Sequence, residues 1–344
     1  LIFSRIVGQV TKPGKTTGME ETMIPKLLAA LGALLLATAP HPAAAFPDRP
    51  IRLVVPYGPG GITDIAARIL APRLGEELGQ QVIVDNRPGG AAMLGFGLAA
   101  RAEPDGHTLV LATTALAANP VLFRNIPYDA RRDFTPVSLV GVVPMVLVVP
   151  PSSPAQSVQD VIAMLRARPG EVNYGSAGNG SGNHLTTEMF NHAAGGLRAV
   201  HVPYRGGGQV MTDLMAGRVS YVFAVLPTAR PFIAGGQLRA LATTGAARSP
   251  AAPDTPTVAE AALPGFELYE WLGLLGPAGL PPAVTAKIQA GVAAALRHPE
   301  TAQRFRDIGV EARGSDGAAL RAHLERELTR WADLATHVRF EVAE

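Results

Sequence analysis

Cysteine is absent from all 344 residues. That absence excludes disulfides, thiolate metal sites, a cysteine nucleophile and a lipid-anchoring cysteine on this chain. A protein bound for an oxidising compartment also avoids mispairing when it carries no thiols. A dominant charge sign is missing too: 30 Lys+Arg face 28 Asp+Glu. Residues 1–45 hold four of the former and two of the latter, so the remainder carries 26 of each. Bulk charge therefore gives no pull toward nucleic acid or an anionic membrane surface. No apolar run reaches the roughly 20 residues that a bilayer-spanning helix needs.

What is present begins with a leader. Lys26 precedes an apolar stretch, Leu27 to Ala39, and small residues follow to Ala43-Ala44-Ala45. A charged start, a short apolar core and an A-x-A end form a secretory signal peptide. Residues 1–45 are expected to be removed, which sends the mature chain, Phe46 to Glu344, to the periplasm. Met19 and Met23 both fit a translation start. The mature 299 residues suffice for two domains with separate cores.

From Ile51 onward short apolar runs alternate with helix-period segments. Strands are expected at 51–55, 81–84, 108–112, 145–149, 172–175, 199–202, 219–225 and 238–243, and continuous apolar strands predict a parallel sheet covered on both faces. Val158, Val161, Ile162 and Leu165 form one helical stripe, and Leu320, Leu324, Leu328, Trp331 and Leu334 another. Pro72 is expected to kink the first helix. Turn-rich segments at Pro150–Pro154 and Pro277–Pro282 place crossings between domains near 143 and 270. The expected division is 46–142 plus 270–344 as one lobe and 143–269 as the other.

Four glycine-rich loops follow strands. They are Tyr57-Gly58-Pro59-Gly60-Gly61-Ile62-Thr63, Asn86-Arg87-Pro88-Gly89-Gly90, Ser176 to His184, and Tyr204-Arg205-Gly206-Gly207-Gly208. Ligands of open α/β sheets bind beyond the carboxyl ends of strands, and helix N-termini favour anions. Neutral Ser, Thr and Asn donors beside them suit a carboxylate. Any one loop is equally an ordinary capped turn, but four together, two in each expected lobe, predict a cleft. Arg87 and Arg205 stand ready for a carboxylate or pack as surface stems; Tyr57 and Tyr204 line a pocket or close a core.

Catalytic motifs fail. Gly14-Lys15-Thr16 lacks the first P-loop glycine, and Gly95-x-Gly97 follows no strand directly. No G-x-S-x-G elbow occurs. His184, Glu188 and His192 share a helix face at metal-ligand spacing, but no further ligand group is visible, so neither metal nor cofactor is expected.

The chain resembles the Bug proteins, substrate-binding components of tripartite tricarboxylate transporters. The resemblance rests on Phe46-Pro47-Asp48-Arg49-Pro50-Ile51 with Gly60-Gly61-Ile62-Thr63-Asp64 and Ala67-Arg68. It continues through Val84 to Gly90, Pro104-Asp105-Gly106, Tyr174 to Gly178, Val202 to Gly206, Pro256 to Glu260 and Trp271 to Leu274, collinearly over nearly all of 46–334. It implies a type II periplasmic binding protein fold, two α/β lobes hinged about a ligand cleft, acting as a monomer without catalysis. The implied ligand is a small carboxylate, and the implied partner is a membrane permease or, alternatively, a sensor kinase. A secreted enzyme using His184 or Tyr204 is the third reading. Carried over by the resemblance, the ligand-binding set is Tyr57, Gly60, Gly61, Thr63, Asn86, Gly90, Ser176, Ser181 and Asn183, with Tyr204 from the fourth loop. The sequence departs from the family at Tyr57-Gly58, often phenylalanine and proline there, and at Asn179 and Asn183, which add amides. It departs again at Ser220 and Ala224, commonly aspartates; their absence disfavours an amino-acid ligand.

Overall fold

The computed structural model describes residues 46–204 and 207–338. The leader and its signal peptide lie outside the described residues, as do Arg205 and Gly206. Among the described residues no helix is long and apolar enough to cross a membrane.

The first half alternates strand and helix: β1 (Ile51–Val55), α1 (Ile62–Leu78), β2 (Val82–Asn86), α2 (Met93–Ala100), β3 (Thr108–Ala112) and α3 (Thr114–Leu122). β1 pairs in parallel with β2 and β3. Alternate residues face two cores. Val54, Val110 and Ala112 join one apolar cluster, while Leu53, Val55, Leu109 and Leu111 join another. Burial on both faces is why these strands read as unbroken apolar runs. Pro72 lies inside α1 without ending it.

β4 (Phe134–Val149) runs 16 residues, far beyond the expected 145–149. Then come α4 (Val158–Ala167), β5 (Asn173–Ser176), α5 (Gly182–Ala193), β6 (Val200–Pro203), α6 (Gly207–Met215), β7 (Val222–Val225), α7 (Leu226–Ala234), β8 (Arg239–Thr243) and α8 (Val258–Ala261). β9 (Tyr269–Pro277), α9 (Pro282–Arg297), α10 (Pro299–Asp307), β10 (Glu311–Ala312) and α11 (Gly317–His337) complete the order.

The sheet is mixed, not parallel. β9 runs antiparallel to β3 and β4, and β7, β8 and β10 run antiparallel to β4. A buried apolar run reports burial on both faces and nothing about strand direction. β4 exchanges partners midway. Its Phe134–Pro144 portion pairs with β9 from Pro277 back to Tyr269, and Met145–Val149 pairs with β7 and β8. β5 and β6 form a separate parallel pair, joined to the strand region at 221 by a Tyr174–Tyr221 bridge.

Candidate ligand cleft

Helix starts divide into two kinds. Outside the glycine loops each start is closed by a side chain or by proline. Thr113 accepts from the Ala115 N–H at α3, Ser157 and Thr257 form capping boxes at α4 and α8, and Asp316 accepts from Ala319 at α11. α7, α9 and α10 carry proline in their first positions. By contrast α1, α2 and α5, which follow β1, β2 and β5, start at Gly61, Ala92 and Ser181 with no side-chain cap. A helix start without a cap keeps amide donors and positive dipole character for an external anion.

The first bare start is braced by charge. Asp64, 3% exposed, accepts from the Gly60 N–H at 2.9 Å, from Arg68 Nε at 3.0 Å and from Asn86 Nδ2 at 3.0 Å. Burial alone would raise the Asp64 pKa, yet the hydrogen bonds from Arg68, Gly60 and Asn86 hold it below the usual carboxylate range. Asn86 also donates to the Tyr57 carbonyl and accepts from Arg68. Its amide is thus spent on holding the loop. Arg87 pairs with Asp85 at 2.9 Å, so its guanidinium braces β2.

The second start is strained. Gly89 and Gly90 are followed by Ala91 and Ala92 at φ +52° and +72°, a region that costs a side-chain-bearing residue about 1 kcal/mol or more. Asn119 of α3 holds this turn by donating from Nδ2 to the Ala91 carbonyl at 3.0 Å. Gly95 packs so closely on Pro56 that a Cβ there would stand 2.7 Å from the proline ring. The two glycines of the dinucleotide-like letters, Gly95 and Gly97, are therefore helix residues, and Gly95 seats α2 on the first loop.

The third start is braced without net charge. Ser176 is fully buried; its hydroxyl meets His201 Nε2 at 2.6 Å and the Gly178 carbonyl and N–H at 3.1 Å. His201 stacks on Tyr174 and on His184 with centroid distances of 4.9 and 4.2 Å. The Gly180 N–H donates to His184 Nδ1 at 3.2 Å. Burial depresses both histidines, His184 to about 3 and His201 to about 4, so both are neutral near pH 7. Ser181 donates to the Gly178 carbonyl at 2.6 Å, and Asn183 to the Phe223 carbonyl at 2.6 Å.

α3 brings the loops together. Its Asn119 holds Ala91 on one side, and on the other its Oδ1 lies 3.6 Å from the point where a Gly180 Cβ would stand. At its start, the Thr114 N–H donates to Glu270 Oε1 at 3.1 Å, and a Cβ on Gly182 would collide with Glu270 Oε2. Tyr57 joins this group: its hydroxyl shares a 2.8 Å hydrogen bond with Thr113 Oγ1. Burial, and then the neighbouring Glu270 charge, raise the Tyr57 pKa far above the ordinary phenol value. Tyr57, Gly60, Gly61, Thr63, Asn86 and Gly90 thus surround the α1 and α2 starts, and Ser176, Ser181 and Asn183 surround the α5 start. Tyr204 stands apart in its bonding, donating to Asp213 at 2.8 Å. Two surface hollows, one along Gln159, Ile162 and Arg166 and one under residues 126–133, are lined by none of these ten.

Several organising residues escape a sequence reading focused on glycine loops. Asp64 and Arg68 carried a signal, an acid and a base four residues apart at a helix start. Glu270 carried a weaker one, a lone acid in an apolar strand. Asn119 and His201 carried none. The expected metal-ligand row is dispersed: Glu188 accepts from Tyr174 at 2.5 Å, and His192 lies against His337. Among the described residues no three His, Asp or Glu group to hold a metal. The two family aspartate positions lie away from the loops here: Ser220 donates to Asn173, and Ala224 is fully buried among Val146, Val148 and Val222.

Comparisons with known proteins agree on the kind of molecule. The model of the tripartite tricarboxylate transporter family receptor matches residues 66–339. Protein BugT of Bordetella pertussis is 36% identical over 313 residues, covering 89% of this chain and 95% of that protein. Among solved structures, Rpa4515 of R. palustris with adipate superposes with a TM-score of 0.78 at 37% identity, covering 85% and 97% of the two chains. MatC of Rhodopseudomonas palustris with bound malate gives 0.77 at 30% identity, covering 84% and 100%. The periplasmic-binding-protein fold expected from the sequence is therefore the fold of the chain.

Proposed function

The chain belongs to the tripartite tricarboxylate transporter receptor family, and from that premise we propose that it captures a small carboxylate in the periplasm and presents it to a membrane permease. The observation carrying this reading is the set of three helix starts without side-chain caps, at the carboxyl ends of β1, β2 and β5. Backbone N–H groups near Gly61, Thr63, Gly90 and Asn183 are the donors, and the Ser176, Ser181 and Asn86 side chains hold those donors in place. Tyr57 and Tyr204 contribute walls rather than free hydroxyls. The ligands of the relatives, adipate and malate, are both carboxylates of the size such a cleft admits.

Lobes of 46–142 plus 270–344 and of 143–269 follow from this reading. The partner exchange of β4 at Pro144/Met145, opposite Tyr269, supports crossings at those positions. A ligand favours closure only through its better affinity for the closed form. The protein carries out no covalent step. His184, the expected base of an enzyme reading, is engaged by the Gly180 N–H and is too weakly basic to take a proton near neutrality.

A melting screen of residues 46–344 against carboxylates, amino acids and sugars tests the reading. A carboxylate at 100 times its dissociation constant adds about 2.7 kcal/mol, a rise of several degrees. A shift with sugars alone, or turnover of a bound acid, would overturn it.

A further inference from the structure

Glu270 is a carboxylate held inside the cleft, 8% exposed, on the strand that pairs with β4 where β4 changes partners. One oxygen accepts from the Thr114 N–H at the start of α3, and the other abuts Gly182, the first residue of α5. The chain's own acid therefore sits beside the start of one of the three uncapped helices. A ligand carboxylate is left with the starts of α1 and α2, on the far side of Tyr57 and Thr113.

Asn119 adds an independent observation. It is fully buried, and its Nδ2 is committed to the Ala91 carbonyl and to the Tyr128 hydroxyl, both at 3.0 Å. Its Oδ1 is oriented toward the Gly180 loop and has no hydrogen-bond partner among the described residues. A buried acceptor without a donor is costly and is seldom left so. The α3 wall thus offers two acceptors, an amide oxygen and a carboxylate, facing the α5 start and its loop.

We propose that Glu270 and Asn119 form an acceptor subsite, so that the preferred ligand is a carboxylate that also carries a hydroxyl or ammonium donor. The missing aspartates at 220 and 224 weighed against an amine; Glu270 supplies an acid from a different strand. This rests on the receptor reading and narrows it to hydroxy- and amino-acids over plain mono- or dicarboxylates. Sites built to hydrogen-bond a substrate donor discriminate strongly against analogues lacking it, because their own polar groups are left unpaired.

The test is calorimetric binding to matched series differing by one donor: propionate, lactate and alanine; succinate, malate and aspartate; adipate and 2-aminoadipate. In whichever series binds, the donor-bearing member is expected to bind at least about tenfold tighter, the value of one hydrogen bond to a charged group. Glu270→Gln, equal in shape, is expected to lose most of that preference while keeping the wild-type circular dichroism and melting curve shape. Equal or tighter binding of propionate, succinate or adipate by the wild type overturns the acceptor subsite and leaves the receptor reading standing. Preference retained in Glu270→Gln overturns it equally. If no acid of any series binds, the receptor reading fails and the subsite with it.

Discussion

The α1 and α5 starts do the same work, holding a glycine loop open-handed toward a ligand, and they are braced by opposite chemistry. At α1 the brace is ionic: Asp64, Arg68 and Asn86 meet around the Gly60 N–H. At α5 it is neutral: Ser176, His201, His184 and Tyr174 stack and bond beneath Gly178 and Gly180. The difference is one of solvent access. Arg68 keeps half its side chain in water, so its charge needs little desolvation. His184 is buried, so its low-energy form is the uncharged one. Two loops with one task thus respond differently to mutation and to acid.

Asp64→Ala is the most damaging way to break the ionic brace. It strands the Gly60 N–H, Arg68 and Asn86 donors at once. Loss of a buried, charged acceptor of this kind costs about 3 kcal/mol, to be read as a lowered urea midpoint with loss of carboxylate binding. Asp64→Asn keeps the shape and one acceptor oxygen and is expected to lose less. Equal losses in the two variants would show that charge is not what holds this loop.

Acid separates the two braces. Asp64 has a depressed pKa, so its contribution persists until pH falls below the ordinary carboxylate range. The histidines fail sooner. Unfolded, they take protons below about pH 6.5; folded, they resist to about 4 for His201 and 3 for His184. The unfolded state then binds more protons, so stability falls as pH drops from about 6.5 toward 4, by up to about 1.4 kcal/mol per pH unit for each group. Glu270 has the opposite sign. Burial raises it to about 7, so between its unfolded value and 7 the folded state holds the extra proton, and stability rises as pH falls. Two histidines outweigh one acid, so a net acid loss is expected. His201→Asn should flatten that loss, and Glu270→Gln should steepen it. A pH series of urea midpoints in which His201→Asn tracks the wild type would remove the neutral brace from the account.

Gly61→Ala compares stability with affinity at a single atom. A Cβ there has the Gly58 carbonyl at 4.0 Å as its nearest neighbour, and φ of −78° suits alanine. Folding should change by about 1 kcal/mol at most. Carboxylate affinity should fall, because the methyl group stands where the ligand must approach the α1 start. Unchanged affinity would move the ligand away from that start. Gly182→Ala is its counterpart at α5, where the methyl group meets Glu270 and folding itself suffers.

Much of this was legible in the sequence for a physical reason. Glycine runs after apolar strands report places where backbone approaches something closely, and the α1, α2 and α5 starts are where those runs fall. Roles within the loops were not legible. Ser176, Ser181 and Asn86 carry hydroxyl and amide groups suited to a ligand, yet bond to the loops themselves, because a glycine loop without side-chain braces would lose too much order. The direction of β9 and the full length of β4 were hidden for another reason. Both depend on pairing across more than 100 residues, and an apolar run such as Val140 to Val149 carries no mark of its partner. Glu270 was read past because only the fold brings residue 270 to Thr114 and Gly182.

The smallest expected effect belongs to the contact between the two braces. Tyr57→Phe removes one hydroxyl, the partner of Thr113 Oγ1. Thr113 keeps its hydrogen bond from the Ala115 N–H, and the ring stays packed against both apolar clusters. The loss should therefore be one ordinary hydrogen bond, about 1 kcal/mol, without the penalty of a stranded charge. Binding should change little, since the hydroxyl faces Thr113 and not the α1 start. The pH series sharpens the test. With Thr113 freed to turn toward Glu270, the acid gains a donor and its pKa should drop, so the part of the stability profile that rises toward acid should shrink. A Tyr57→Phe profile that superposes on the wild type apart from a constant offset would show that Tyr57 and Glu270 do not share Thr113.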